Sequence, residues 1–168
     1  TYADQLIKGF LGDESFKSKR VAAVAPGLND PTDTMLPQAP LSSLLFPGHK
    51  NTLRVGFYRN PDTITMSNEQ KVAVLDGLIV EDLRRQTPLD FFDATKLLLA
   101  TRNWAPTAPN TLEVFPFADR DPLLIENLPH ILVVSNAPEF KLDELIIDTQ
   151  KSSKVKIVFV PNFDKVRK

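Results

Sequence analysis

The sequence predicts an α/β fold with one long, ordered loop. Strand-length apolar or alternating stretches stand at 21–25, 53–58, 72–75, 131–134 and 155–160, and helical spacing fills 2–11, 78–86 and 88–100. Hydrophobic residues make up 42% of the 168 positions and charged residues 24%, a balance that lets a chain of this length bury its own core. The 14 prolines are about twice the usual share and suit a loop-rich α/β domain, or a large part of one.

Each element has its own local cause. Tyr2, Leu6, Ile7, Phe10 and Leu11 recur at helical spacing up to Gly12-Asp13. The charged run 15–20 leads into an apolar strand at 21–25, which Pro26-Gly27 stops. The segment 28–40 carries the asparagine, aspartate and proline of tight turns, and the apolar 41–47 packs under the loop. Leu53, Val55 and Phe57 alternate with Arg54, Gly56 and Tyr58, as in a half-buried strand. Asn60-Pro61-Asp62 then turns the chain so that 64–66 pairs back as a hairpin. After the strand at 72–75, Asp76-Gly77 is a break, and the helix 78–86 presents Leu78, Ile79 and Leu83 inward.

A second helix starts at Thr87-Pro88-Leu89-Asp90, with Thr87 as cap, Pro88 in the first position and Asp90 at the positive end of the dipole. Phe91, Phe92, Thr95, Leu98 and Leu99 make one core-facing stripe to about Ala100. The closing strands are 146–147 and 155–160, the latter burying Val155, Ile157 and Phe159 opposite Lys154, Lys156 and Val158.

Between them lies the segment 102–136. Its five prolines (Pro106, Pro109, Pro116, Pro122, Pro129) fix φ and remove donors, which excludes helix and inner strand over most of it. It nonetheless carries Trp104, Leu112, Phe115, Phe117, Leu123 and Leu124, so it lies on a hydrophobic surface and feeds the strand 131–134.

The spaced motifs W-A-P-T-A-P-N-T-L (104–112), F-P-F (115–117), Asp121-Pro122, Pro129-His130 and Ser135-Asn136 resemble the small (B) subunits of eukaryotic DNA polymerase delta. The resemblance runs from about Pro26 to Phe163, and A-P-T-A-P-N-T-L with F-P-F favours delta over the alpha and epsilon classes. It implies a calcineurin-like phosphoesterase fold, a two-sheet sandwich flanked by helices, of which this chain holds the C-terminal portion. A start at Thr1 rather than methionine reads as part of a longer protein, and the family's upstream oligonucleotide-binding-type (OB) barrel domain has no counterpart in these residues.

The same resemblance bears on chemistry. Active members of the fold carry P-G-N-H-D after a strand, with the asparagine on metal. Here Pro26-Gly27 is followed by Leu28, which has no donor for a metal, and by Asn29 in the histidine position, which is no acid at neutral pH. The following Leu36-Pro37-Gln38-Ala39-Pro40 matches the family's P-Q-x-P extension. Near R-H-L-A-P, Arg102, Ala105 and Pro106 fit, but Asn103 replaces the histidine. Where the strand matching 131–134 ends in G-H-x-H in those members, this chain has Ser135-Asn136-Ala137-Pro138, so Asn136 and Pro138 occupy the positions of the two metal histidines. The upstream G-D-x-H motif is absent from 1–25. His49 reads as a surface-loop residue and His130 as a structural one.

Two classes of function are therefore opposed. The family implies a non-catalytic nuclear subunit with no cofactor, bridging the C-terminal module of the polymerase's catalytic subunit and a third accessory subunit. Trp104, Leu112, Phe115 and Phe117 are its candidate interface. The alternative is an active two-metal phosphoesterase or nuclease, which needs Asp, His and Asn clusters about 4 Å apart. With two histidines and no cysteine, this chain lacks the residues for that cluster. A net charge of −1 argues against autonomous nucleic-acid binding, and the basic tail Lys165, Arg167, Lys168 reads as a solvated end. No apolar run approaches the ~20 residues of a membrane span.

Overall fold

A computed structural model describes residues 2–12, 22–49, 55–148 and 153–162, which form a mixed α/β fold. Helix α1 (Tyr2–Gly12) precedes strand β1 (Ala22–Val24) and two single 3-10 turns, Ser43–Leu45 and Pro47–His49. Strands β2 (Val55–Phe57), β3 (Asp62–Thr65) and β4 (Lys71–Asp76) lead to helices α2 (Gly77–Gln86) and α3 (Phe91–Thr101). After the proline loop come β5 (Ile131–Ala137), β6 (Lys141–Asp148) and β7 (Ser153–Pro161). The charged run 15–20, Leu53, Arg54, the side chain of His49 and the basic tail from Lys165 lie outside the described residues.

The strands form two sheets. β1 and β2 pair in parallel, and the larger sheet runs β3-β4-β5-β7-β6. Its three central strands are parallel and its two edge strands antiparallel. Parallel neighbours end on the same side, so the carboxyl ends of β4 and β5 open together onto one rim, where α/β sheets place their sites.

Strand alternation decides which side chains meet the helices. Ala73 and Leu75, Leu132 and Val134, and Val155, Ile157 and Phe159 are buried with Ile79, Val80 and Leu83 of α2 and Phe91, Leu98 and Leu99 of α3. Phe159 is fully enclosed and meets Phe92 edge-on at 4.9 Å and Phe91 at 6.1 Å. The aromatic stripe of α3 is thus core, as its spacing predicts.

The expected hairpin between 53–58 and 64–66 does not form. β2 pairs with β1 instead, and β3 pairs with β4. The backbone of Asn60 is claimed from elsewhere: its carbonyl accepts from Gln38 N at 2.8 Å and its N–H donates to Gln38 O at 3.3 Å. The hairpin closes at residues 66–70, where Met66 N donates to Gln70 O at 2.8 Å and Glu69 takes φ 63°.

Thr87 does not start α3. Its N–H donates to Arg84 O and its hydroxyl to Leu83 O at 3.1 Å, so it closes α2. Asp90 caps α3 through the Asp93 N–H at 2.7 Å, and Arg102 ends that helix in the left-handed region. β6 is longer than the predicted 146–147 because pairing with β7 extends it: Leu145 and Ile147 face the core while Leu142 and Ile146 stay exposed.

Charge fastens β6 to α3. Lys96 Nζ lies 3.0 Å from Asp143 Oδ2, and Lys141 sits 3.7 Å from the same oxygen and over the Phe92 ring. The hydrogen bond from Lys96 and the Glu144 N–H hold the Asp143 carboxyl below its usual range, and Asp143 holds Lys96 above its own. A depressed carboxylate stabilises the fold above its unfolded pKa and loses that contribution as pH falls through the folded value. We expect Asp143→Asn to cost about 0.5 kcal/mol near neutral pH in denaturant titrations. The gap to the wild type should close once acid protonates Asp143.

Candidate functional site

Asp76 ends β4, caps α2 and is 2% exposed. Its carboxylate gathers three separate parts of the chain. Oδ2 accepts the Leu28 N–H at 2.6 Å; Oδ1 accepts the Leu78 N–H at 3.0 Å and the Asn136 amide at 2.8 Å. Two positions that the resemblance assigns to metal ligands, Leu28 after β1 and Asn136 near the end of β5, therefore meet on one carboxylate. Asn136 reaches inward because β5 breaks register between Val134 and Ala137 and Asn136 itself takes φ 53°.

The contact explains Gly27. A Cβ there would stand 2.8 Å from Asp76 Oδ2, so a larger residue would push the carboxylate away from the loop. Asp30 tightens the same loop by accepting the Gly27 N–H at 2.8 Å. Asn29 and Pro138 are exposed, and neither supplies a group to the cluster.

Behind Asp76 runs a buried polar chain. Asn60, 1% exposed, accepts the Asp76 N–H at 3.0 Å through Oδ1 and donates from Nδ2 to Gln38 Oε1 at 2.8 Å. Gln38, fully buried, donates to Gly27 O at 3.2 Å and Asp33 O at 3.0 Å. Every polar side-chain atom of Asn60 and Gln38 has a partner, as burial requires. Pro26, Gly27, Asp30, Asn60, Asp76 and Asn136 line a cavity of about 270 Å³ on this rim. Among the described residues no three histidine, aspartate or glutamate side chains are placed to hold a metal ion.

Asp76 and Asn60 carried no signal as site residues, since Asp76-Gly77 and Asn60-Pro61-Asp62 read as a break and a turn. The one local clue is a carboxylate at the end of a strand and the start of a helix, the place of a cap. His130 is structural, as its position predicts: its Nδ1 accepts the Lys71 N–H at 3.0 Å, and its carbonyl accepts from Lys156 N.

The proline loop is ordered and lies on the core, and its side chains divide. Trp104 is 5% exposed and belongs to the core, so it is not a surface anchor; its backbone N–H donates to Leu123 O at 2.9 Å, which ties this point of the loop to the returning chain. Leu112 is half-buried against the same core. Phe115 and Phe117 are exposed at 53% and 36% and stack edge-on 5.1 Å apart. The loop is held in place beneath them: Thr107 and Thr111 donate to Asp82 of α2, Leu36 N donates to Glu113 O at 2.8 Å, and Phe115 N donates to Leu36 O at 3.1 Å.

Residues 5–142 match the family model described as the B subunit of DNA polymerase alpha/epsilon. The chain belongs to that family. Among its relatives are the DNA polymerase delta small subunit of Arabidopsis thaliana, 38% identical over 146 residues covering 83% of this chain and 31% of the relative, and DNA polymerase delta subunit 2 of Drosophila melanogaster, 31% identical over 147 residues covering 86% and 33%. The Saccharomyces cerevisiae small subunit is 28% identical over 170 residues, covering 83% and 34%. The chain thus spans about a third of the length of the relatives it matches. These relatives are delta subunits, the class to which A-P-T-A-P-N-T-L and F-P-F point.

Proposed function

We propose that this chain is part of a non-catalytic accessory subunit of a nuclear DNA polymerase of the delta class, built on a degenerate calcineurin-like phosphoesterase frame. The observation that carries the reading is the convergence of Leu28 and Asn136 on Asp76. Two positions that the family resemblance assigns to metal binding lie together at the carboxyl rim of a parallel sheet, as a common frame requires.

That frame implies a pair of metal ions, and the donor set does not fit one. Both oxygens of Asp76 are taken by N–H donors, Asn60 is taken by the Asp76 N–H and Gln38, and Asp30 accepts from Gly27. Leu28 supplies an N–H, which repels a cation, in place of a side-chain oxygen. Among the described residues no histidine lines this rim to act on a leaving group.

What the chain offers instead is surface. Phe115 and Phe117 are large, exposed, and mounted on a loop that hydrogen bonds have already ordered, so docking them costs little conformational entropy. We assign them to a protein contact within the polymerase assembly, with the catalytic subunit's C-terminal module or the third accessory subunit as partner. Co-purification of the full subunit with those two partners tests this. Phe115→Ser with Phe117→Ser is expected to weaken assembly at least about tenfold while shifting the subunit's own stability by under about 1 kcal/mol. Undiminished assembly would remove the loop from the interface.

A further inference from the structure

The lost metal centre leaves a structural problem. In an active enzyme of the proposed frame, the ions draw the loop after β1 and the end of β5 together. Among the described residues no cluster of side chains is placed to hold such ions, yet both parts meet. We propose that the Asp76 carboxylate is the replacement: a hydrogen-bonded clasp that holds the former active-site loops in register without metal.

The clasp stands on this chain's own distances, and only the comparison with a metal rests on the phosphoesterase reading. Asp76 is buried and receives three donors: the Leu78 N–H of the helix it caps and, from two distant places in the chain, the Leu28 N–H and the Asn136 amide. Its own N–H donates to Asn60, which carries the connection through Gln38 to Gly27 O and Asp33 O. The loop 26–30 is therefore fastened to Asp76 twice, directly at Leu28 and through Gln38 at Gly27. A carboxylate suits the post because it only accepts, and all three groups facing it donate. An asparagine does not. With its oxygen toward Leu78 and Asn136, its NH₂ confronts the Leu28 N–H; flipped, it confronts the other two.

Leu28 also follows from this arrangement. The clasp uses the backbone N–H at 28, not the side chain, so the position is free to be apolar, and Leu28 packs against the core. Loss of the metal ligand there and gain of a core contact are one change.

The test is amide hydrogen exchange and thermal melting of the full chain, wild type and Asp76→Asn, in excess chelator and in excess manganese. We expect the wild type to melt identically in both. In Asp76→Asn, the Leu28 amide should exchange about tenfold faster, with the melting point lower by about 5 °C. Wild-type stabilisation by manganese that Asp76→Asn abolishes would overturn both the clasp and the non-catalytic reading. Metal indifference with unchanged Leu28 protection would overturn the clasp alone. Should Asp76→Asn fail to fold, Asn136→Leu removes one arm only. The amides of 135–137 should then exchange about tenfold faster, and unaltered protection there would sink the proposal.

Discussion

Trp104→Ala should destabilise the chain by about 4 kcal/mol, seen as an early midpoint in urea titration, and not merely weaken an interface. The ring is 5% exposed and sits in the same cluster as Leu36, Leu83, Leu123 and Ile125. Removing it leaves a cavity the size of an indole beneath a proline-stiffened loop, which has little freedom to collapse inward. The loss should reach function indirectly, because Phe115 and Phe117 are positioned by the same loop. The contrast with the Phe115/Phe117 double change is diagnostic: one variant should unfold early, while the other should fold normally and assemble poorly.

Gly77→Ala should cost on the order of 3 kcal/mol, lowering the melting temperature by roughly 10 °C. A Cβ at this position would lie 2.0 Å from the backbone oxygen of Ser135 and 2.9 Å from the Phe91 ring. The carbonyl cannot swing aside, because Asp76 and Ser135 are register partners at the end of the β4–β5 ladder. Moving β5 would also draw Asn136 away from Asp76, so the damage should spread to the rim, visible as faster amide exchange at both Leu28 and residues 135–137. Gly77→Ala with unchanged stability would mean that β4 and β5 part more easily than their packing implies.

How far the sequence could be read depended on the range of the interaction. β7 and the α3 stripe were legible because burial repeats every second residue in Val155, Ile157 and Phe159, and on one face from Phe91 to Leu99. The partner of β3 was not, since alternation says that a strand exists and not which neighbour it finds. Nor was the polar chain at the rim: Gln38 and Asn60 are 22 residues apart, Asn60 and Asp76 16, and Asp76 and Asn136 60.

The proline loop shows the same limit. Trp104 and Phe115 are both large aromatics close to prolines, yet one is enclosed and the other half bare. The difference arises from what the chain folds back over. Leu123 and Ile125 return across Trp104, while nothing comparable covers Phe115 among the described residues. The resemblance identified Leu28 and Asn136 as positions to compare, and the structure adds the residue that joins them.

The proposed function requires that this rim has lost its metal chemistry and kept its frame. The most direct measurement is hydrolysis of bis-p-nitrophenyl phosphate by the purified full chain in excess manganese, with bound metal counted in the same sample. No turnover above the manganese blank is expected, and no metal retained after desalting. Turnover that tracks bound manganese and disappears in Asp76→Asn would contradict the proposed function.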